Sequence, residues 1–578
     1  MNGSHLRKLL GELPGAVESA VETWVRPVAG RIPGVEHVTG QLPRPGSIKD
    51  AVTAMKVLVE SGVARPVRPD RLLGMGLSIA RYGVTPAAGW AAGAAVRPDA
   101  IALVDELGEM TFQEIDRLSS TIALGLRDTG IGEADLVGVL LRNSRWMPLT
   151  LSALAKVGAD AVLLNTGFAG PQLAEVLQRE GARAIIHDDE FTGLLEDTVE
   201  SVPDLIRIVG WQDGDNDSQP SLEQLAATPR RYLPRPTHTS RQVILTSGTT
   251  GTPKGASRSL DGIEPAAAFL SAIPLHARET TVIACPLFHT WGLSHLGMSL
   301  LLQSTVVLSR KFDPEGTLRL IQDERASALV AVPVMLQRML ELDEKVRSSY
   351  NTASLRIVAV SGSSLRGELS TSFMDAFGDV IYNMYGSTEV AYATVAGPAD
   401  LRAAPGTAGR LVMGTTIRLL DQDGKEVPAG EVGRIFVGNP MLFDGYTGGG
   451  DKDRVGGLAS TGDLGRFDES GRLFVEGRDD EMIVSGGENV FPAEVEDLLA
   501  EHPDILEAAV IGVEDDKMGQ RLKAFVVTSG SVDEQAVKDH VKRHLASYKV
   551  PREVVFLDEL PRNATGKVVK RELAEPAD

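Results

Sequence analysis

The run Thr280–Ser309, TTVIACPLFHTWGLSHLGMSLLLQSTVVLS, holds no Asp, Glu, Lys or Arg over 30 residues. Its reading decides between a membrane-spanning helix and a buried piece of a water-soluble fold. A helix of about 20 apolar residues crosses a bilayer, so length alone permits a span. The internal grammar argues against one. Pro286, His289, His295 and Gln303 punctuate the run, and it divides into a strand at Thr281–Ala284, a helix at Leu293–Leu302 and a strand at Thr305–Leu308. Strands without polar alternation, joined by a helix, are the pattern of a parallel sheet covered on both faces. The expectation is an α/β protein with no transmembrane segment.

The same alternation extends to either side. Leu136–Leu141, Ala161–Leu164 and Ala184–His187 are short apolar stretches separated by helical ones such as Pro171–Glu180, which implies βαβ units and a parallel sheet from about Ile101 onward. After about Pro405 the texture changes to closely spaced strands and turns, at Thr416–Leu420, Asp423-Gly424, Gly433–Val437 and Asp468–Gly471. Beyond Gly477 an α+β piece follows: a helix at Ala493–Ala500, strands at Ala508–Val513 and Leu522–Val527, a helix near Glu534–Leu545 and a strand at Val554–Leu557. A chain of 578 residues exceeds what one compact core holds, so at least two domains are expected. The first eighty residues read as an appendage: Leu6, Leu9, Leu10, Leu13, Val17, Val21 and Trp24 lie at helical spacing, followed by a link through Pro33, Pro43 and Pro45. Such a helix can pack on its own protein or touch a membrane surface or a partner.

The formal net charge of -20 argues against a nucleic-acid-binding surface as the main purpose. One cysteine, Cys285, excludes an intramolecular disulfide and a cysteine metal cluster, and is compatible with a reducing cytoplasm. No secretory signal is read at the N-terminus, where Arg7, Lys8, Glu12, Glu18 and Glu22 interrupt the apolar positions.

The segment Thr246-Ser247-Gly248-Thr249-Thr250-Gly251-Thr252-Pro253-Lys254-Gly255 follows a strand-like Gln242-Val243-Ile244-Leu245. Glycines there let successive backbone N–H groups converge on oxyanions, while the hydroxyls and Lys254 add donors and positive charge. A phosphate-holding loop at the end of a strand is the expectation, in the place where open α/β folds bind ligands. It is not a Walker A loop, because Lys254 is preceded by proline and followed by glycine.

Further segments belong beside that loop: Pro286-Leu287-Phe288-His289, Val360-Ser361-Gly362-Ser363-Ser364, Asn383-Met384-Tyr385-Gly386-Ser387-Thr388-Glu389, Ser460-Thr461-Gly462-Asp463, Gly477-Arg478-Asp479-Asp480-Glu481, Ser485-Gly486-Gly487-Glu488-Asn489 and Leu560-Pro561-Arg562-Asn563-Ala564-Thr565-Gly566-Lys567. In this order the set resembles the adenylate-forming superfamily of acyl-CoA synthetases, luciferases and peptide-synthetase adenylation domains. The likeness runs over residues 85 to 575 or thereabouts. It implies an N-terminal extension at 1–84 and a large AMP-binding domain at 85–478, built of parallel α/β sheets with a β-rich subdomain from about 405 to 478. A small mobile α+β lid at 479–578 would follow, with a hinge near Asp480.

The resemblance also assigns roles. Activating a carboxylate with ATP brings two anions together, so Mg²⁺ on phosphate oxygens and one carboxylate must screen them. Glu389 is the matching carboxylate, with Thr246 also near the metal. Ser247, Gly248, Thr249, Thr250, Gly251 and Lys254 would grip pyrophosphate. Tyr385 offers a flat face to adenine, Ser361, Gly362 and Ser363 close backbone approach to the base edge, and Gly386, Ser387 and Thr388 complete the nucleotide pocket. Asp463 can accept both ribose hydroxyls, assisted by Arg478. Lys567 matches the catalytic lysine, an ammonium that bridges carboxylate, phosphate and ribose oxygens. His289 matches a gate beside the acyl pocket, and Gly486 and Gly487 would face the pantetheine of CoA after the lid turns. The sequence departs from the pattern where Glu481 replaces a common Asp, where Gly457-Leu458-Ala459-Ser460 lacks a bulky aromatic, and in the loose Tyr446-Thr447-Gly448-Gly449-Gly450.

The expected activity is that of an AMP-forming acyl-CoA ligase using ATP, Mg²⁺ and CoA. Its expected substrate is a medium- or long-chain fatty acid, because the texture and the N-terminal extension look most like fatty-acyl ligases. A fatty acyl-AMP ligase loading a carrier protein, or a non-catalytic nucleotide-binding protein, are the alternatives. The expected location is the cytoplasm, with peripheral membrane contact as an addition.

Overall fold

A computed structural model describes residues 48–574 apart from 197, 215–218, 230, 247–253, 258–262, 444, 447–451, 480, 486–487, 516–518, 531 and 564–565. The amphipathic stretch Leu6–Trp24 therefore lies outside the described residues. So does most of the phosphate loop.

The opening run folds as its grammar requires: strand Thr280–Ile283, helix Thr290–Leu302 and strand Thr305–Leu308. The helix starts three residues before the expected Leu293, because His289 in an extended conformation caps it and Gly292 can pass the Pro286 carbonyl. A Cβ at Gly292 would sit 2.4 Å from that oxygen. The two strands pair in parallel inside a nine-stranded sheet. Its parallel centre runs Ile381–Tyr385, Ile357–Val360, Ala328–Ala331, Thr280–Ile283, Thr305–Leu308 and Ile101–Asp105, flanked by antiparallel edge strands. Ala328–Ala331 and Ile357–Val360 are buried along their whole length, as sheets covered on both faces require. Among the described residues no helix is long and apolar enough to cross a membrane.

A second, seven-stranded sheet has five parallel strands, Gln242–Thr246, Asp160–Leu163, Leu136–Leu140, Ala184–His187 and Ile206–Val209. Lys254–Ser257 and Gly445–Tyr446 extend it in antiparallel fashion beyond Gln242–Thr246. Three antiparallel strands, Thr416–Leu420, Gly433–Gly438 and Leu458–Phe467, form the body of a third sheet that also carries Leu473–Arg478. The fourth sheet uses only strands after Ile483, with the long hairpin Ile505–Asp515/Gly519–Thr528 at its centre and Glu553–Phe556 added in parallel. The described residues divide as expected into a large N-terminal α/β part and a small C-terminal one.

Helix Ile48–Glu60 was not legible in the sequence. Its Ala54 and Leu58 are buried in the main core, so the segment expected as an appendage joins that core from Ala54 onward.

Candidate active site

The strand Ile381–Tyr385 leads into a turn rich in polar contacts. Gly386 is required there by close approach, since a Cβ would lie 2.2 Å from the Ala391 carbonyl oxygen. The turn that follows buries Glu389, which is 9% exposed. The Ser387 hydroxyl oxygen accepts from the Glu389 N–H at 3.3 Å and the Val390 N–H at 3.4 Å, fixing the turn. Tyr446 donates its hydroxyl to Glu389 Oε1 at 2.8 Å, and Lys452 Nζ stands 3.9 Å from the same atom.

Tyr446 links Glu389 to the phosphate loop. It pairs with Ala256 on Lys254–Ser257, the strand that forms a hairpin with Gln242–Thr246 and sets Lys254 opposite Thr246 in register. The backbone of Thr246 and Lys254 is thereby placed, while their side chains and Ser247, Gly248, Thr249, Thr250 and Gly251 lie outside what is described. In the sequence Tyr446 stands out only as part of a loose glycine-rich stretch. Its part in the site rests on a strand pairing between residues far apart in the chain.

On the other side, Tyr385 donates its hydroxyl to Asp463 Oδ2 at 2.6 Å, and Thr461 Oγ1 stands 3.1 Å from the same phenol oxygen. Burial, and then the neighbouring Asp463 carboxylate, raise the Tyr385 phenol well above its ordinary range. Burial likewise raises Asp463, opposed by the Tyr385 hydrogen bond and the positive charges of Arg478 and Lys567. Arg478 lies opposite Asp463 in the sheet register, its Nη1 3.6 Å from Oδ1. Gly462 has φ +81°, and a Cβ there would stand 3.2 Å from Arg478 Nη2, so this glycine serves both the turn and the guanidinium.

The positive charge of Lys567 is felt at Asp463, which it lowers, although the two stand 104 positions apart in sequence. Its turn is held by the Lys567 N–H donating to Asn563 Oδ1 at 3.0 Å and by Arg562 Nη1 donating to the Gly566 carbonyl at 2.5 Å. Gly566, at φ +76°, rests on Val334, where a Cβ would come within 2.4 Å of Val334 Cγ1. Gly362 has φ +97°, and a Cβ there would stand 3.4 Å from Val332 Cγ1, so the backbone conformation and not crowding calls for glycine; Ser361 is buried beside it and Ser363 exposed.

A second cluster starts at His289. Thr290 Oγ1 lies 3.4 Å from Thr388 Oγ1, tying the start of the Thr290–Leu302 helix to the residue before Glu389. The His289 ring lies tilted against Phe288 with centroids 4.3 Å apart, and Trp291, His295 and Phe269 form a ring cluster with centroids 4.2 to 6.3 Å apart. Burial lowers both His289 and His295 to about 4, so both rings are neutral. Both Nε2 atoms are buried without a hydrogen-bond partner among the described residues. Sequence reading singled out His289 but treated His295 as a punctuation mark.

Gly486 and Gly487 lie outside the described residues, between the paired Ser485 and Glu488. Asp480 is also outside them. Its neighbours are each in an ion pair: Asp479 with Arg434 at 3.0 Å and Glu481 with Lys570 at 3.2 Å. Among the described residues no group of three or more His, Cys, Asp and Glu side chains could hold a metal ion. One buried carboxylate beside a hydroxyl-rich loop nonetheless fits Mg²⁺, which commonly takes one or two protein carboxylates and completes its shell with water and phosphate.

This fold, with a carboxylate, a tyrosine–aspartate–arginine group and a lysine from the C-terminal part around one place, defines an adenylate-forming enzyme. The chain belongs to the AMP-binding enzyme family: the model of that family matches residues 90–447, and that of its C-terminal domain residues 494–567. It is an ATP-dependent, AMP-forming CoA ligase, working with ATP, CoA and Mg²⁺. The indoleacetate–CoA ligase of Aromatoleum aromaticum is 34% identical over 81% of this chain and 93% of that protein. A 2-succinylbenzoate–CoA ligase of Bacillus cereus is 32% identical over 83% of this chain and 96% of its own length. Among solved structures, the anthranilate CoA ligase AuaEII in complex with anthranoyl-AMP superposes with a TM-score of 0.75 at 27% identity, covering 85% of this chain and 96% of that one. These relatives are named for aromatic acids, which gives no support to the fatty acid expected from sequence texture.

Proposed function

We propose that this ligase activates an aromatic carboxylic acid, forming an aryl- or arylalkanoyl-adenylate and then its CoA thioester. The observation that carries the reading is the ring cluster Phe269, Trp291 and His295, buried one turn beyond the Thr290–Thr388 contact. Flat rings meeting edge to face make a wall that suits another flat ring. The names of the similar ligases support the same class.

In this reading the acid lies with its ring against that wall and its carboxylate toward Thr388 and Glu389. Glu389, held by Tyr446, and Thr246 would hold Mg²⁺, which screens the negative charge of the phosphates when bound. The loop from Thr246 to Lys254 grips the departing pyrophosphate. Ser361, Gly362, Ser363 and Tyr385 take the base, with Gly386 keeping the backbone close, and Asp463 and Arg478 take the ribose. Lys567 places its ammonium where charge develops on the α-phosphorus as carboxylate oxygen attacks, a preset interaction of about 3 kcal/mol. His289 stays neutral near neutral pH and packs the entrance to the acyl side. The lid is residues 479–578, turning at Asp480, and the ion pairs on either side of that residue would confine the torsion change to it. Rotation withdraws Lys567 and brings Gly486 and Gly487 to the thiol of CoA.

The test is AMP and pyrophosphate release over a panel of aryl, arylalkanoyl and fatty acids, with and without CoA. Aryl acids should be turned over and give a thioester only when CoA is present. Turnover confined to fatty acids would overturn the substrate class, and pyrophosphate release without thioester would overturn the acceptor.

A further inference from the structure

Helix Pro69–Tyr82 is amphipathic in the reverse sense to an ordinary surface helix. Its Leu72, Leu73, Leu77 and Ile79 are 57, 60, 60 and 50% exposed, and Gly76 and Ala80 between them are exposed too. At about 100° per residue these six fall on one side of the helix. Its two arginines turn toward the protein instead: Arg71 donates to the Val96 carbonyl and Arg81 to the Leu233 carbonyl, each at 2.6 Å. Gly74 lets the helix settle on Pro86–Val96, since a Cβ there would stand 2.9 Å from Ala95 Cβ. A surface helix normally buries its apolar stripe, and a contiguous exposed one marks a contact surface. The patch continues past the helix. Val84 is 66% exposed, and Tyr232, beside the Leu233 that holds Arg81, is 80% exposed.

The charge around the patch points to its partner. The chain has a formal net charge of -20, yet from Ser61 to Pro98 five arginines stand against a single acid, Asp70. At the start of the helix Arg68 is exposed, and the Val96 carbonyl anchors Arg71 beside Arg97. Arg97 donates to the Gln303 carbonyl at 2.8 Å and Arg65 to Gln303 Oε1 at 3.1 Å, which brings these two together, and the charge of Arg278 bears on both. At the far end the exposed Arg235 donates to the Ala80 carbonyl at 2.6 Å. Guanidinium groups at both ends of an apolar face, with a tyrosine at its border, match the layers of a bilayer surface: phosphates outside, hydrocarbon within, aromatic rings between. A second copy of this chain fits less well, because a symmetric contact would set the same arginines against one another.

We propose that this face docks the enzyme on an anionic lipid bilayer, with Leu72, Leu73, Leu77 and Ile79 in the outer hydrocarbon and the arginines at both ends of the helix on headgroup phosphates. The apolar side chains then leave water, and the local excess of positive charge meets the headgroups. The contact needs no transmembrane helix and does not depend on which acid is activated.

The experiment sediments the full chain with vesicles of phosphatidylcholine alone, or of phosphatidylcholine with phosphatidylglycerol, at low and at physiological salt. Wild type should bind the phosphatidylglycerol vesicles about tenfold or more tightly than the neutral ones, and less so as salt rises. Leu73→Asp/Leu77→Asp should weaken that binding by about tenfold or more, and Arg68→Ala/Arg278→Ala by about tenfold on the anionic vesicles alone, each with an unchanged thermal melt. Absence of binding to anionic vesicles in wild type, or binding unchanged in Leu73→Asp/Leu77→Asp, overturns the proposal. A full loss in Leu9→Asp/Leu13→Asp also overturns it, by giving the contact to the apolar stretch near the N-terminus. So does a vesicle-free wild-type oligomer that Leu73→Asp/Leu77→Asp breaks into monomers, which assigns the face to a second copy. If Leu73→Asp/Leu77→Asp does not fold, Arg68→Ala/Arg278→Ala and the salt dependence decide.

Discussion

The two halves of the site differ in how much they complete by themselves. Around Glu389, Tyr385 and Asp463, polar side chains already hold one another: Tyr446 on Glu389, Tyr385 on Asp463, Arg478 opposite Asp463. Around Trp291 and His295, rings close on each other, and the Nε2 atoms of His289 and His295 have no hydrogen-bond partner among the described residues. The first half handles a nucleotide that is always the same, so its dipoles can be preset and their reorganisation is avoided at the moment of reaction. The second handles the variable acid. In the proposed reading its rings, not its polar groups, meet that acid.

The contrast can be broken most forcefully at the polar half. Lys567→Ala should lower acyl-adenylate formation by about a hundredfold or more, while thioester formation from supplied acyl-adenylate stays within about twofold of wild type. Equal loss in both steps would remove Lys567 from the first one. Seating of its loop gives the next effect. Gly566→Ala places a Cβ 2.4 Å from Val334 Cγ1 and strains a residue at φ +76°, so adenylation should fall by about tenfold. Val334→Ala in the same chain should restore part of that loss, and an absence of rescue would detach the loop from that contact. Tyr446→Phe removes one hydrogen bond to a carboxylate and should cut adenylation by about five- to tenfold, with a raised Mg²⁺ requirement. An unchanged Mg²⁺ dependence would leave Tyr446 without a part in holding Glu389.

The remaining effect belongs to the ring half and concerns stability instead of rate. His295 drops from an ordinary 6.5 to about 4 through burial, so between those values the unfolded chain holds the extra proton. Stability should therefore fall as pH drops from 6.5 toward 4, with this ring accounting for about 3 kcal/mol, and level off below. His295→Phe should flatten that part of the pH profile in thermal melts. A profile as steep as wild type would mean the ring titrates freely.

The opening run shows what sequence reading achieves here. Charge-free residues with interrupting proline and histidines gave both strands to within a residue, since buried parallel strands need no long-range information. The motifs carrying Glu389, Asp463 and Lys567 stood out only as a set resembling one superfamily, since each alone reads as a capping acid, a turn residue or an exposed lysine. Tyr446 was not legible, because its place follows from pairing with Ala256, which no local pattern encodes. His295 escaped for a different reason. A buried histidine looks alike whether satisfied or orphaned, and only the contacts of Nδ1 and Nε2 tell the two apart. The fatty-acid expectation came from texture, which reports on the scaffold and says little of the rings at one helix.

The most direct measurement places equal amounts of indole-3-acetate and decanoate in one reaction with limiting ATP and excess CoA, and quantifies the two thioesters by mass spectrometry. The aromatic reading expects the indole-bearing thioester in large excess. A product mixture dominated by decanoyl-CoA would contradict it.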